Sequence, residues 1–316
     1  MAINLRNRHL LSLKHHTPQE IEYLLDLSAD LKNKKRAGIK GNLMEGKNVA
    51  LIFEKPSTRT RCAFTVGAID EGAHPEYLGK NDIQLGHKED VADTARVLGR
   101  MFDGIEFRGF SQKVVEDLAK YAGVPVWNGL TDKFHPTQIL ADFLTIEEHL
   151  GYLKGAKLVF VGDGRNNMAN SLLVGSAKMG LDFRIAAPHG LHPDHELVEE
   201  CRQIAQQTGG KITITDDLYG AASQADFIYT DVWVSMGEED KYEERINQLK
   251  GFQVNRQLLN ATSNPNVKFL HCLPAFHDLN TDTMKDIHQK FGLTEMEVTD
   301  EVFKSSNSVV FDEAEN

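Results

Sequence analysis

The sequence predicts an α/β protein of two domains, each a mostly parallel sheet with helices on both faces. The chain has 316 residues, more than the roughly 250–300 at which a single hydrophobic core stops growing. Short apolar runs alternate with helix-like stretches, the pattern that parallel strands and their crossover helices leave in a sequence. That alternation is interrupted by the long amphipathic stretch Pro136–Leu150, which ends at Gly151, and then starts again. We therefore expect domains at 1–150 and 151–316, with the Pro136 helix as a bridge.

The first element is a helix. Thr17 can cap it, Pro18 takes its first position and Glu20 completes a capping box. Ile21, Leu24, Leu25 and Leu31 then recur on one face, and Gly38 lies beyond a basic end. Strands are expected at 48–53, 77–79, 104–108 and 124–127, with helices at 90–102 and 114–122 among them. After Gly151 the expected strands are 157–161, 183–187, 212–215, 227–232 and 267–273, again with helices between.

Charge and composition narrow the function. A net charge of −11 argues against a nucleic-acid partner and leaves phosphate binding to a local cluster of arginines. No apolar run approaches the roughly 20 residues that span a bilayer. Residues 1–17 mix Arg6, Arg8 and Lys14 with scattered leucines and lack the apolar core of a secretory signal. Cys62, Cys201 and Cys272 are odd in number and far apart, which fits free thiols in a reducing compartment. A cytoplasmic protein is expected.

The strongest local signal is Phe53-Glu54-Lys55-Pro56-Ser57-Thr58-Arg59-Thr60-Arg61. A buried strand ends in a hydroxyl-rich turn that opens a helix, and a helix start offers free N–H groups and positive dipole charge. Hydroxyls and guanidiniums added there make a phosphate cradle without P-loop glycines. A second turn, Gly162-Asp163-Gly164-Arg165-Asn166-Asn167, stands where a dinucleotide fingerprint would. Asn167 replaces the third glycine, and the next strand ends without a ribose-binding acid, so an NAD-dependent dehydrogenase is only a distant alternative. Asp231 and Ser235 follow a strand, where ligands bind in open sheets, and an aspartate there suits an ammonium. Cys272 lacks the surroundings of a protease nucleophile, and a metal shared with His271 is disfavoured because adjacent strand residues point to opposite faces.

These motifs resemble those of the aspartate and ornithine carbamoyltransferases along essentially the whole chain. Ser57-Thr58-Arg59-Thr60-Arg61 is similar to the family's phosphate motif, Phe107-Arg108-Gly109 to its second arginine, and His135-Pro136-Thr137-Gln138 to its carbamoyl-binding turn. Asp231-Val232-Trp233-Val234-Ser235-Met236-Gly237 and His271-Cys272-Leu273-Pro274 resemble the ornithine members. The resemblance implies transfer of the carbamoyl group from carbamoyl phosphate to the side-chain amine of L-ornithine, giving L-citrulline and phosphate, without metal or cofactor.

It also implies roles. Ser57, Thr58, Arg59 and Thr60 would take the phosphate, Arg108 and His135 would polarise the carbonyl oxygen, and Gln138 would accept from the carbamoyl amide. Cys272 and Leu273 would complete this site, the thiol helping to orient or deprotonate the attacking amine, next to a cis Leu273–Pro274 bond. Asn167, Asp231, Ser235 and Met236 would hold the ornithine head group. Family members are trimers, or multiples of trimers, in which Gln84, in a loop that also carries His87, reaches the neighbouring subunit's carbamoyl phosphate. Relatives acting on putrescine or aspartate are the nearer alternatives, and they differ at Ser235-Met236-Gly237 or at Cys272. The family continues past Asn316 with an arginine and a final helix, so a longer chain is expected for full activity.

Overall fold

In the computed structural model, residues 3–86, 88–235 and 237–316 are described. The chain divides into two compact units, Met1–Leu140 and Ala141–Asn316. The first unit holds α1 (Pro18–Arg36), β1 (Asn48–Phe53), α2 (Arg59–Asp70), β2 (His74–Gly79), α3 (Val91–Leu98), β3 (Gly104–Arg108), α4 (Gln112–Ala122) and β4 (Val126–Leu130). α5 (Pro136–Leu150) begins within the first unit's residues and ends within the second's. The capping box of α1 is formed: Glu20 N–H donates to Thr17 Oγ1 at 3.2 Å, and Thr17 N–H donates to Glu20 Oε2 at 2.8 Å.

The first sheet is parallel in the order β2-β1-β3-β4. β1 is buried from Val49 to Phe53 because both of its faces are covered. Ala50 and Ile52 pack with Ile105, Phe107, Val115 and Leu118 in one cluster. Val49, Leu51 and Phe53 join Ala68 and Phe64 in another. Each fully buried Phe contributes about 1.5–3 kcal/mol to such a core. The strand expected at 124–127 runs instead over Val126–Leu130, and its register shifts beside Phe107 and Arg108.

The second unit continues with β5 (Lys157–Val161), α6 (Asn167–Met179), β6 (Asp182–Ala186), α7 (His195–Thr208), β7 (Lys211–Thr215), α8 (Leu218–Ala222) and β8 (Phe227–Thr230). Then come α9 (Tyr242–Leu249), α10 (Arg256–Ala261), β9 (Lys268–Leu270), α11 (Asp282–Phe291), α12 (Asp300–Phe303) and α13 (Val310–Glu315). This sheet is parallel in the order β7-β6-β5-β8-β9. Its inner strand β5 is buried from Leu158 to Val161. Both sheets therefore reverse their strand order once, between β1 and β3 and between β5 and β8, and such a reversal opens a crevice at the strands' carboxyl ends. Among the described residues no helix is long and apolar enough to cross a membrane.

Candidate active site

The first group of polar residues lies at the β1/β3 reversal. Phe53 and Arg108, the last residues of the two strands, are register partners. From Phe53 the chain turns through Ser57 and Thr58 and enters α2 at Arg59, so the first N–H groups of α2 have no carbonyl within the helix. Thr60 N–H donates to Ser57 Oγ at 3.2 Å, whereas the Thr58 hydroxyl makes no capping bond. Arg59 is exposed, while the Arg61 guanidinium lies 3.6 Å over the Tyr77 ring. Of the two arginines in the motif, Arg61 stacks on a ring of β2, and Arg59 is exposed at the start of α2.

Arg108 is buried and donates through Nη1 to Thr60 Oγ1 at 2.9 Å. His135 is also buried. Burial, with smaller contributions from the charges of Arg108 and Arg59, pulls its pKa down to about 3. The imidazole is therefore neutral at working pH and can act as a hydrogen-bond donor without adding charge; its Nδ1 lies 3.3 Å from Thr137 Oγ1. Gln138 is half-buried in the first turn of α5. Gln84 is exposed in the turn before α3, and its carbonyl accepts from the N–H groups of Lys88 and Glu89 at 3.3 and 3.4 Å. Its neighbours Ile83 and Leu85 line a cavity of about 190 Å³ with Phe53, Glu54, Lys80 and Phe110. His87 lies outside the described residues.

The segment that delivers His135 is pinned by residues the sequence reading did not single out. Asn128, buried on β4, donates through Nδ2 to Leu11 O at 3.0 Å and to Phe134 O at 3.2 Å. Thr131 Oγ1 donates to Gln112 Oε1 at 2.6 Å and accepts from Phe134 N–H at 3.2 Å. A polar Asn-x-x-Thr at a strand end is common, so nothing local marks this pair.

The second group lies at the β5/β8 reversal. After β5, Gly162 adopts φ +140°, and a Cβ on Gly164 would stand 2.8 Å from Leu191 O. The glycines thus serve this turn's own backbone. Asp163 is clamped by Arg165, whose Nε and Nη2 lie 3.0 and 2.9 Å from its two oxygens. Asn166 caps α6, accepting from Ala169 N–H at 2.8 Å, and its Nδ2 donates to Asp231 Oδ2 at 3.1 Å. Asn166, which the sequence reading passed over for Asn167, therefore joins the turn after β5 to the aspartate after β8. Asn167 is the first residue of α6 and half-buried. Ser235 is half-buried, and its carbonyl accepts from Glu238 N–H at 3.0 Å. Glu238 in turn receives Arg245 Nη2 at 2.9 and 3.0 Å. Met236 lies outside the described residues.

Asp231 and Cys272 come together. Cys272 Sγ donates to Asp231 Oδ1 at 3.4 Å, and Val232 N–H donates to the same oxygen at 2.8 Å. Burial, then the charges of Asp231, Glu313 and Asp142, push the Cys272 thiol well above its usual range, so it is a neutral donor and not a thiolate base. The strand expected over 267–273 ends at Leu270. The reason given against a shared metal, strand alternation at His271 and Cys272, therefore fails: ligand atoms of Asp231, His271 and Cys272 lie within 4.8 Å of one another. Both His271 nitrogens are nevertheless engaged, Nδ1 accepting from Leu273 N–H at 2.8 Å and Nε2 facing Glu297 Oε1 at 3.3 Å. Leu273 is half-buried with φ +60° and precedes a cis Leu273–Pro274 bond.

Comparison with known proteins places both units in one family. Residues 8–148 match the carbamoyl-P binding domain of the aspartate/ornithine carbamoyltransferase models, and residues 154–316 match the Asp/Orn binding domain. A protein named catabolic ornithine carbamoyltransferase from Bacillus licheniformis is 62% identical over 315 residues, covering 100% of this chain and 94% of the relative. One of the same name from Staphylococcus aureus is 59% identical over 313 residues, covering 99% and 93%. The solved ornithine carbamoyltransferase of Pyrococcus furiosus superposes with a TM-score of 0.91 at 44% identity, covering 99% of this chain and 94% of that one.

Proposed function

Because the chain belongs to the aspartate/ornithine carbamoyltransferase family, we infer that it moves the carbamoyl group of carbamoyl phosphate onto the side-chain amine of L-ornithine. The products are L-citrulline and phosphate. In this reading the α2 N-terminus, with Ser57, Thr58, Arg59 and Thr60, binds the phosphate. Arg108 and neutral His135 donate to the carbonyl oxygen, where charge develops as the amine attacks, and Gln138 accepts from the carbamoyl amide. The neutral δ-amine forms the new C–N bond, the bond from carbon to the phosphate oxygen breaks, and the proton the amine nitrogen loses is taken up by the departing phosphate. Leu273, with Cys272, borders the carbamoyl group. Asn167, Asp231, Ser235 and Met236 hold the amino acid head group, and Cys272, as a thiol hydrogen-bonded to Asp231, orients the amine without serving as its base.

The observation that carries the amine end is Asp231, a carboxylate at a sheet reversal that accepts from Val232, Asn166 and Cys272 and so is fixed to meet an ammonium. Supplied with carbamoyl phosphate, the protein is expected to carbamoylate ornithine in preference to putrescine or aspartate. The check is product analysis on that amine panel; faster turnover of putrescine, or no citrulline, would overturn the reading. The Bacillus and Staphylococcus relatives are named catabolic, which supports a catabolic role here.

We further propose a homotrimer, or a multiple of trimers, in which Gln84 completes a neighbour's carbamoyl phosphate site. Two observations support it. Gln84 is exposed, and the 12-residue helix α2 buries only Ala68 while Val66 and Ile69 are exposed, an apolar face suited to another subunit. Mixing an Arg59→Ala variant with a Gln84→Ala variant under subunit exchange should then restore activity above either parent, since some sites regain both residues. No gain despite verified exchange would mean that each chain supplies its own Gln84.

A further inference from the structure

Behind Asp231 and Cys272 lies a buried acid that the roles above leave unused. Glu313, on α13, is 1% exposed. Its Oε1 accepts from Tyr229 Oη at 3.0 Å, and its Oε2 accepts from the backbone N–H of His271 at 2.8 Å. Tyr229 lies on β8, two residues before Asp231, and is fully buried. His271 directly follows β9 and directly precedes Cys272. Tyr229 and Leu270 are register partners, so Glu313 bridges neighbouring strands at the point where each gives way to a site residue. Asp142, buried on α5, hydrogen-bonds the same carboxyl group.

We propose that Glu313 is a positioning residue for the amine end of the site, a buried clamp on β8 and β9 that fixes the spacing of Asp231 and Cys272. His271 N–H follows the last residue of β9, so it would be an orphan donor in a dry interior without Glu313, at a desolvation cost. Two donors converge on the two oxygens, and Asp142 can bond as a third when it carries the proton that two adjacent buried carboxyls share. The titratable groups that interact with Glu313 are Asp142 from α5, the Tyr229 hydroxyl from β8, and His271 and Cys272 after β9. Burial raises the Glu313 pKa to about 7, so its ionisation falls near neutral pH. Small shifts matter here because the Cys272 Sγ to Asp231 Oδ1 contact joins residues that follow the two clamped strands.

This inference rests on the carbamoyl-transfer reading, so wild-type citrulline formation is measured first; a wild type that makes none counts against that reading and not against Glu313. In the full chain, Glu313→Ala should raise the ornithine KM about tenfold or more, the usual worth of a charge-assisted hydrogen bond. The carbamoyl phosphate KM should stay near wild type. Glu313→Gln keeps one acceptor and should recover part of the loss, and its ornithine KM should vary less between pH 6 and 8 because the titrating group is gone. Tyr229→Phe removes one donor, leaves the His271 bond and should fall between. If Glu313→Ala does not fold, Glu313→Gln and Tyr229→Phe carry the test. A merely structural role would lower the melting temperature and the active fraction, with the ornithine KM and its pH profile unchanged. That result, or an equal rise in both KM values, would overturn the proposal.

Discussion

Replacing Arg108 with alanine should lower kcat by about 10²–10³-fold, the cost of removing one donor that faces developing oxyanion charge. Arg108 is buried at the end of β3, and its Nη1 bond to Thr60 Oγ1 ties it to the first turn of α2. The guanidinium is thus fixed before substrate arrives. Glu106, two residues earlier on the same face of β3, is fully buried, and among the described residues neither carboxyl oxygen has a hydrogen-bond partner. Burial drives the Glu106 pKa well up against the opposing pull of Arg108, so it is a neutral acid and adds no opposing charge beside the arginine. The carbamoyl phosphate KM should rise as well, whereas the ornithine KM should change little. Lysine should rescue poorly because it lacks the planar fork of donors. Steady-state kinetics with each substrate varied provides the check, and a variant with near wild-type kcat would remove Arg108 from the reacting end.

The parts of the molecule legible in the sequence are those whose causes are local. The β1 strand was readable at 48–53 because a run buried on both faces needs no partner to identify it. The capping box at Thr17 and the turn into α2 were readable because caps are written within a few residues. What stayed hidden depends on residues far away. The strand expected at 124–127 continues to Leu130 through Gly129, where a Cβ would stand 1.9 Å from Glu106 Oε1. The stretch 267–273 reads as one strand, but past Leu270 the N–H of His271 goes to Glu313, 42 residues on. The helix expected over 90–102 stops at Leu98, closed by Phe102 N–H on Leu98 O at 2.8 Å.

The site shows the same division. Family motifs singled out Arg108, His135, Asp231 and Cys272, because those positions belong to short recognisable strings. They gave no sign of Asn166, whose partner Asp231 lies 65 residues away, nor of Asn128 and Thr131 behind His135. Resemblance names the residues that would touch substrate. The residues that hold them appear only once the chain is folded.

Asp231→Asn should raise the ornithine KM about 10²-fold or more, because an ammonium loses a desolvated partner worth roughly 2–5 kcal/mol. The change is nearly isosteric, so packing is not at issue. Both oxygens of Asp231 accept: Oδ1 from Val232 N–H at 2.8 Å and Cys272 Sγ at 3.4 Å, Oδ2 from Asn166 Nδ2 at 3.1 Å. An asparagine amide therefore turns its NH₂ toward a donor in either orientation, and charge and geometry are lost together. Asn166→Ala removes only one donor and leaves the charge, so it should cost less. Burial, the largest influence, raises the Asp231 pKa above that of an exposed aspartate. As pH falls, the free enzyme should then lose ornithine affinity sooner than an exposed aspartate would allow, since only the ionised form attracts the ammonium. Ornithine KM measured for wild type and both variants across the acid range tests the whole argument. If Asp231→Asn keeps a wild-type ornithine KM with carbamoyl phosphate saturating, Asp231 does not hold the head group, and the thiol contact it makes is structural.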